Sequence, residues 1–230
     1  KDSRTIDRKT YYDYPRAYKM IDELQPQAVI FSDGGPGCRW VGNEKGFAGA
    51  TNWAFLRAGE VYPGYANYRE LQYGHADGNQ WVAAECDVSI RPGWFYHPEE
   101  DGRVKTVEQL TDLYYRSVGH NATLLLNFPV DRDGLIHPTD STNAVNFHQN
   151  VQKQLAHNLL AGVSPKASDE RSAAFPAKAV TDGDYDTYWA TNDEVTSATI
   201  EFGLPQPEKI NRMMLQEYIP LGQRVKSFVV

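Results

Sequence analysis

Along the first 165 residues, short apolar runs alternate with segments whose apolar residues recur at helical spacing. Asp13-Tyr14-Pro15 predicts a helix start, with proline preset for the first turn. Tyr18, Ile21 and Leu24 then share a face, and Pro26 predicts the stop. Ala28 to Phe31 predicts a buried strand, and the glycine-rich Ser32 to Gly37 a loop. Trp81 to Ile90 predicts a second strand, turned out by Arg91-Pro92-Gly93. Val104, Val107, Leu110, Tyr114 and Val118 fall at helical spacing. Thr123 to Val130 predicts a third strand before the turn Asp131-Arg132-Asp133-Gly134. Ala144, Phe147, Val151, Leu155 and Leu159 predict the next helix, opening near Asp140-Ser141 and ended by Gly162 and Pro165.

Strands alternating with helices predict an α/β fold with a parallel sheet. In a β/α barrel the chemistry sits on loops at the C-terminal ends of the strands, and all three predicted strands run into polar loops there. A complete barrel has eight strands and about 250 residues. The expectation is therefore the C-terminal half of a (β/α)8-type barrel over residues 1–162. After Pro165 the pattern changes. Thr199 to Phe202 and Arg224 to Val230 read as short strands between turns, with no convincing helix. Residues 163–230 are expected to form part of an all-β jelly-roll module, cut inside its last apparent strand.

Composition narrows the function. A chain with 41% hydrophobic and 23% charged residues buries a core. The net charge is −7 and the basic residues are scattered, which argues against nucleic acid or an anionic membrane as the main partner. No apolar run approaches a membrane span, and Lys1 to Lys9 does not read as a signal peptide. Two cysteines, Cys38 and Cys86, make no disulfide framework or metal-ligand spacing, and each is expected to be a small buried hydrophobe. Fourteen tyrosines, five tryptophans and nine phenylalanines suit packing, and they also suit a sugar site, where rings cover the apolar faces of pyranoses.

Two segments carry candidate chemistry. Gly37 to Gly46 sets Glu44 among glycines near Trp40. Glycosidases use two carboxylates, one of which donates a proton. Glu44 suits that role, and a plain solvated loop glutamate is the alternative. Trp81 to His97 places Glu85, Asp87 and Arg91 at the end of a buried strand, where charges are costly unless paired. Either an internal salt bridge or substrate contact accounts for them. Trp94, just past a Pro-Gly turn, is expected to project from the rim.

Three stretches resemble glycoside hydrolase family 29, the α-L-fucosidases. They are Arg39-Trp-Val-Gly-Asn-Glu44, then Ala84-Glu-Cys-Asp-Val-Ser-Ile-Arg-Pro-Gly-Trp-Phe-Tyr-His97, then Leu124-Leu-Leu-Asn-Phe-Pro-Val-Asp-Arg-Asp-Gly-Leu-Ile136. They occur in order within residues 1–160 and are most similar to the subgroup preferring α-1,3 and α-1,4 fucosyl linkages on Lewis-type glycans. The resemblance implies a retaining exo-α-L-fucosidase with Glu44 as acid/base and Trp94 packed on fucose. Glu85 and Arg39 are implied as further pocket residues, and no cofactor enters the chemistry. The family's nucleophile is the aspartate of a Trp-Phe-Asp-Gly-Ala motif, which this sequence lacks. Asp33, in Phe31-Ser-Asp-Gly-Gly, only superficially resembles it, so the nucleophile is expected upstream and the rest of the barrel is expected to be needed for a folded site. A non-catalytic carbohydrate-binding protein is the alternative. Ala179 to Ala190 and Ala198 to Phe202 resemble a discoidin-like (factor 5/8 type C) module. That resemblance implies a structural Ca²⁺ near Asp182, Asp184 and Thr187, with a plain Asx-stabilised turn as the alternative. A periplasmic or extracellular location follows from the family.

Overall fold

The computed structural model describes residues 5–230. It contains two compact units, the first running to Gln152 and the second spanning Lys153–Val230.

In the first unit, helix α1 (Tyr14–Leu24) opens where expected, with the Asp13 carboxylate accepting from the Arg16 amide at 3.2 Å. Strands β1 (Phe31–Ser32), β2 (Cys38–Trp40), β5 (Ala83–Ser89) and β6 (Ala122–Asn127) form one sheet in the order β1-β2-β5-β6, parallel throughout. Four strands replace the three predicted. The addition is β2, only three residues long, directly after the loop predicted over Ser32 to Gly37. Between β2 and β5 an excursion pairs β3 (Phe55–Leu56) antiparallel with β4 (Gln80–Trp81). The strand predicted as continuous from Trp81 to Ile90 is broken at Val82, whose N–H turns to the Ala54 carbonyl at 2.7 Å.

Helix α2 (Val107–Ser117) starts in a capping box of Thr106 and Gln109. Helix α3 (Pro138–Leu155) begins earlier than its apolar repeat, with proline as its first residue. Behind the sheet, Val88, Ile90, Val104, Leu110 and Leu113 pack with Leu124, Leu126, Phe128 and Phe147. A second cluster joins Val41, Ala48, Ala84 and Cys86, and a third Leu56, Val61, Leu71 and Val82.

Strand alternation splits the sheet into two faces. On β5, Ala84, Cys86 and Val88 are buried in the core, while Ala83, Glu85 and Asp87 are half-buried on the other side. On β6 that second face carries Thr123, Leu125 and Asn127, and on β2 Cys38 and Trp40. It is the polar face, and it is open, with Leu125 at 47% exposure. The apolar stripe of α1 is likewise uncovered, Leu24 being 77% exposed. A barrel interior and its helix ring look like this when only half the barrel is present.

In the second unit, β7 (Lys166–Ala167) pairs antiparallel with β8 (Ile200–Glu201). Trp189 Nε1 donates to the Asp169 carbonyl at 2.9 Å, and Tyr188 stacks between Phe175 and Tyr218 at 4.9 and 4.4 Å. The strand expected over residues 224–230 does not form; these residues are exposed and pair with nothing in a ladder. A strand needs a neighbour to take its backbone hydrogen bonds.

Candidate active site

The polar face and the loops beyond its strand ends gather most of the acids singled out in the sequence. Beyond β2 the chain turns at Gly42 and Gly46, both at positive φ. A Cβ at Gly42 would stand 2.0 Å from the Tyr68 carbonyl, so only glycine fits. Within the turn, the Asn43 side chain accepts from the Lys45 amide at 3.0 Å and donates to the Phe47 carbonyl at 3.0 Å. Glu44 is thereby presented at an exposed tip, where its Oε2 accepts from Trp94 Nε1 at 2.9 Å. Glu44 and Trp94, read from segments fifty residues apart, thus meet.

Trp94 stands on a loop anchored below by Arg91. That guanidinium is fully buried and grips Asp140 of α3 through two bonds of 2.7 and 2.8 Å. It also reaches Asp101 at 2.8 Å and lies 4.6 Å from the centre of the Tyr96 ring. Its hydrogen bonds to these acids hold its pKa above the usual arginine value. Of the two readings for Arg91, the internal salt bridge is the one realised.

Glu85 lies half-buried on the polar face. Its Oε2 accepts from Thr123 Oγ1 at 3.4 Å and faces Cys38 Sγ at 3.8 Å. Burial, and then the charge of Glu85, pushes the Cys38 thiol up to about 11. Asp87, next on the same face, accepts from Trp40 Nε1 at 2.7 Å. Burial raises its carboxyl above the usual range. The Trp40 bond opposes the rise, and the charges of Glu44 and Glu85 add to it. Trp40 also stacks on Tyr68, with ring centroids 6.2 Å apart. For Asp87 the sequence leaves open a salt bridge or substrate contact, and Trp40 is not picked out as a site residue; the alternation of Cys38 and Trp40 about Arg39 is the available signal for it.

Arg39 is a correction. Adjacent to Trp40 on β2, it points to the opposite face and is 0% exposed. Its guanidinium donates to the carbonyls of Leu71, Val82 and Trp53 at 3.0, 2.6 and 2.8 Å and to Asn52 Oδ1 at 2.6 Å. Desolvation pulls its pKa down to about 10. Every contact is to the β3–β4 excursion and its flanks, so Arg39 holds the scaffold and does not line the pocket. Asp33 is also occupied, its Oδ2 accepting from the Gly64 amide at 2.6 Å.

In the second unit, Asp182, Asp184 and Thr187 do converge. Asp182 accepts from the Asp184 amide at 2.9 Å and from Thr187 Oγ1 at 2.7 Å; Asp184 accepts from the Asp186 amide at 2.9 Å. These bonds, the backbone one first, hold the Asp182 carboxyl below its usual range. Among the described residues no three His, Cys, Asp or Glu side chains converge as a metal site, so a cation here would draw on backbone carbonyls as well.

The parallel sheet, with its polar loops at the strand ends, fits the α/β-barrel class. Comparison with known proteins makes this particular. The chain is 36% identical over 225 residues to alpha-L-fucosidase 1 of Arabidopsis thaliana, covering 94% of this chain and 43% of that protein. Among solved structures, a glycoside hydrolase 29 family member from an unknown rumen bacterium is 44% identical, with a TM-score of 0.64, covering 73% of this chain and 31% of that one. A glycoside hydrolase 29 fucosidase of Ruminococcus gnavus, solved in complex with fucose, is 30% identical with a TM-score of 0.72, covering 87% of this chain and 42% of that one. The F5/8 type C domain family matches residues 164–230. The chain is a homologue of the family 29 α-L-fucosidases, with an F5/8 type C module at its C-terminal end, and it spans 43% of the length of the curated relative.

Proposed function

We propose that this chain supplies the acid/base half of a retaining exo-α-L-fucosidase acting on terminal α-1,3- or α-1,4-linked fucose of branched, Lewis-type glycans. The observation that carries the reading is the Glu44–Trp94 pair at the strand ends of a half-barrel homologous to that family. In the reaction, an aspartate from the remainder of the barrel attacks the anomeric carbon while Glu44 gives its proton to the departing glycosidic oxygen. Glu44 then takes a proton from water, whose oxygen attacks the same carbon and releases fucose and the aspartate. Trp94 covers an apolar face of the sugar. Carboxylates suffice for this chemistry, and no step needs a cofactor.

The relative solved with fucose supports the substrate class. The linkage preference rests on the resemblance of residues 1–160 to the α-1,3/1,4-preferring subgroup. The same reading places the protein in the periplasm or outside the cell, which fractionation would check. Glu44→Gln in the full-length protein is the test. General acid help is worth about 10²–10⁴-fold. Hydrolysis of a Lewis trisaccharide should fall by that order, and azide should restore turnover of activated aryl fucosides. Unchanged hydrolysis of the trisaccharide refutes the role and favours the carbohydrate-binding alternative. Because a retaining site needs two carboxyl groups about 5–5.5 Å apart, residues 1–230 alone should show no turnover. Turnover abolished by Asp33→Asn would mean that the nucleophile lies within the chain.

A further inference from the structure

We propose that Asn127 is a positioning residue for the acid/base, acting through Trp94; this rests on the role assigned to Glu44 above. Asn127 is the last residue of β6, half-buried on the polar face and the register partner of Ser89. Its Nδ2 donates to two acceptors, Ser89 Oγ at 3.1 Å and the Trp94 carbonyl at 3.1 Å. Its own carbonyl accepts from the Ile90 amide at 3.0 Å. From Trp94 the path continues through the indole N–H to Glu44 Oε2 at 2.9 Å.

The arrangement calls for a carboxamide. Two acceptors on two elements, a strand end and a loop, are bridged by one group with two N–H donors. Aspartate has the same shape but no donor, and it would set a carboxylate against the Trp94 carbonyl. Arg91 holds the base of the 91–97 loop through Asp140 and Asp101 but makes no bond to Trp94 itself. Asn127 is the side chain that fixes the Trp94 backbone, and a backbone held at one atom with an indole tethered at the other end leaves Glu44 a defined position. Misplacing a catalytic group by about 1 Å costs on the order of 100-fold.

The test separates leaving groups, because acid assistance matters most for poor ones. In the full-length enzyme, Asn127→Ala and Asn127→Asp should slow hydrolysis of a Lewis trisaccharide by about 10- to 100-fold. Turnover of an aryl fucoside with a good leaving group should fall no more than a few-fold. Trp94→Phe removes the N–H and shrinks the surface that packs on the sugar, so it should slow both substrates, and the trisaccharide by a further 10- to 100-fold. Adding Asn127→Ala to it should deepen that selectivity no further, since both act on one path. Equal slowing of both substrates, no slowing of either, or selective losses that multiply in the double variant would each overturn the proposal. Should Asn127→Ala not fold, Asn127→Ser, which keeps one donor, carries the same comparison. Glu44→Gln run alongside separates the two inferences. If it is silent, the acid/base reading fails; if it acts selectively and the Asn127 variants do not, only the positioning role fails.

Discussion

Replacing Asp140 with asparagine should weaken the first unit by about 3 kcal/mol, the low end of the range for breaking a buried ion pair. Both Asp140 and Arg91 side chains are 0% exposed, and their two bonds of 2.7 and 2.8 Å join the end of β5 to the first turn of α3. Asparagine removes the charge that balances the guanidinium while keeping one acceptor. The loss stays near the low end because Arg91 retains Asp101 at 2.8 Å. In a unit of this size, each kcal/mol moves the melting temperature by about 2–4 °C, so the expected drop is about 6–12 °C. Calorimetry of the full-length variant measures it. Buried pairs are poorly screened, so the drop should persist between about 0.05 and 0.5 M salt. A drop under about 2 °C, or one that disappears at high salt, would show that the pair behaves as a surface contact and that the 91–97 loop is held by something else.

Trp94→Ala should raise the inhibition constant of a fucose-like iminosugar with little change in melting temperature; a collapsed melting temperature with normal binding would make Trp94 a core residue. Asp87 has a folded-state pKa above its unfolded value, so the folded protein holds the extra proton. Its ionisation therefore subtracts stability as pH rises from the ordinary carboxylate range through the raised value. Asp87→Asn should accordingly flatten that part of the stability profile and be no less stable than the parent at neutral pH; a steeper profile would contradict the assignment. Calcium should raise the melting temperature of the complete F5/8 type C module through Asp182, Asp184 and Thr187, since an ion bound only by the folded state stabilises it. Equal melting temperatures in calcium and in chelator would reject that site.

The barrel half was legible because β5 and β6 are long enough to show apolar runs and α2 long enough to show a helical repeat. Strand β2 was not, since three residues, one of them arginine, carry no periodic signal. Arg39 misled for the same reason: a charged residue beside a catalytic motif resembles a ligand contact until the strand shows which way it points. Glu44 and Trp94, which the structure brings together, were singled out through motifs that stay contiguous in the chain. Asn127, Asp101 and Asp140 act across sequence separations of 33, 10 and 49 residues, and only the register of β5 with β6 and the start of α3 bring them to the loop.

The two-faced alternation of β5 constrains how the strand can change over time. Glu85 and Asp87 look into the open side, while Ala84, Cys86 and Val88 are sealed behind the sheet. Substitutions at 85 and 87 alter the open face without opening a cavity, and those at 84, 86 and 88 disturb the packing behind the sheet. Selection can therefore vary the open face at one set of positions while the neighbouring set stays fixed. A single inserted residue within the strand would exchange the two sets, so variation here should proceed by replacement and hardly ever by a change in length.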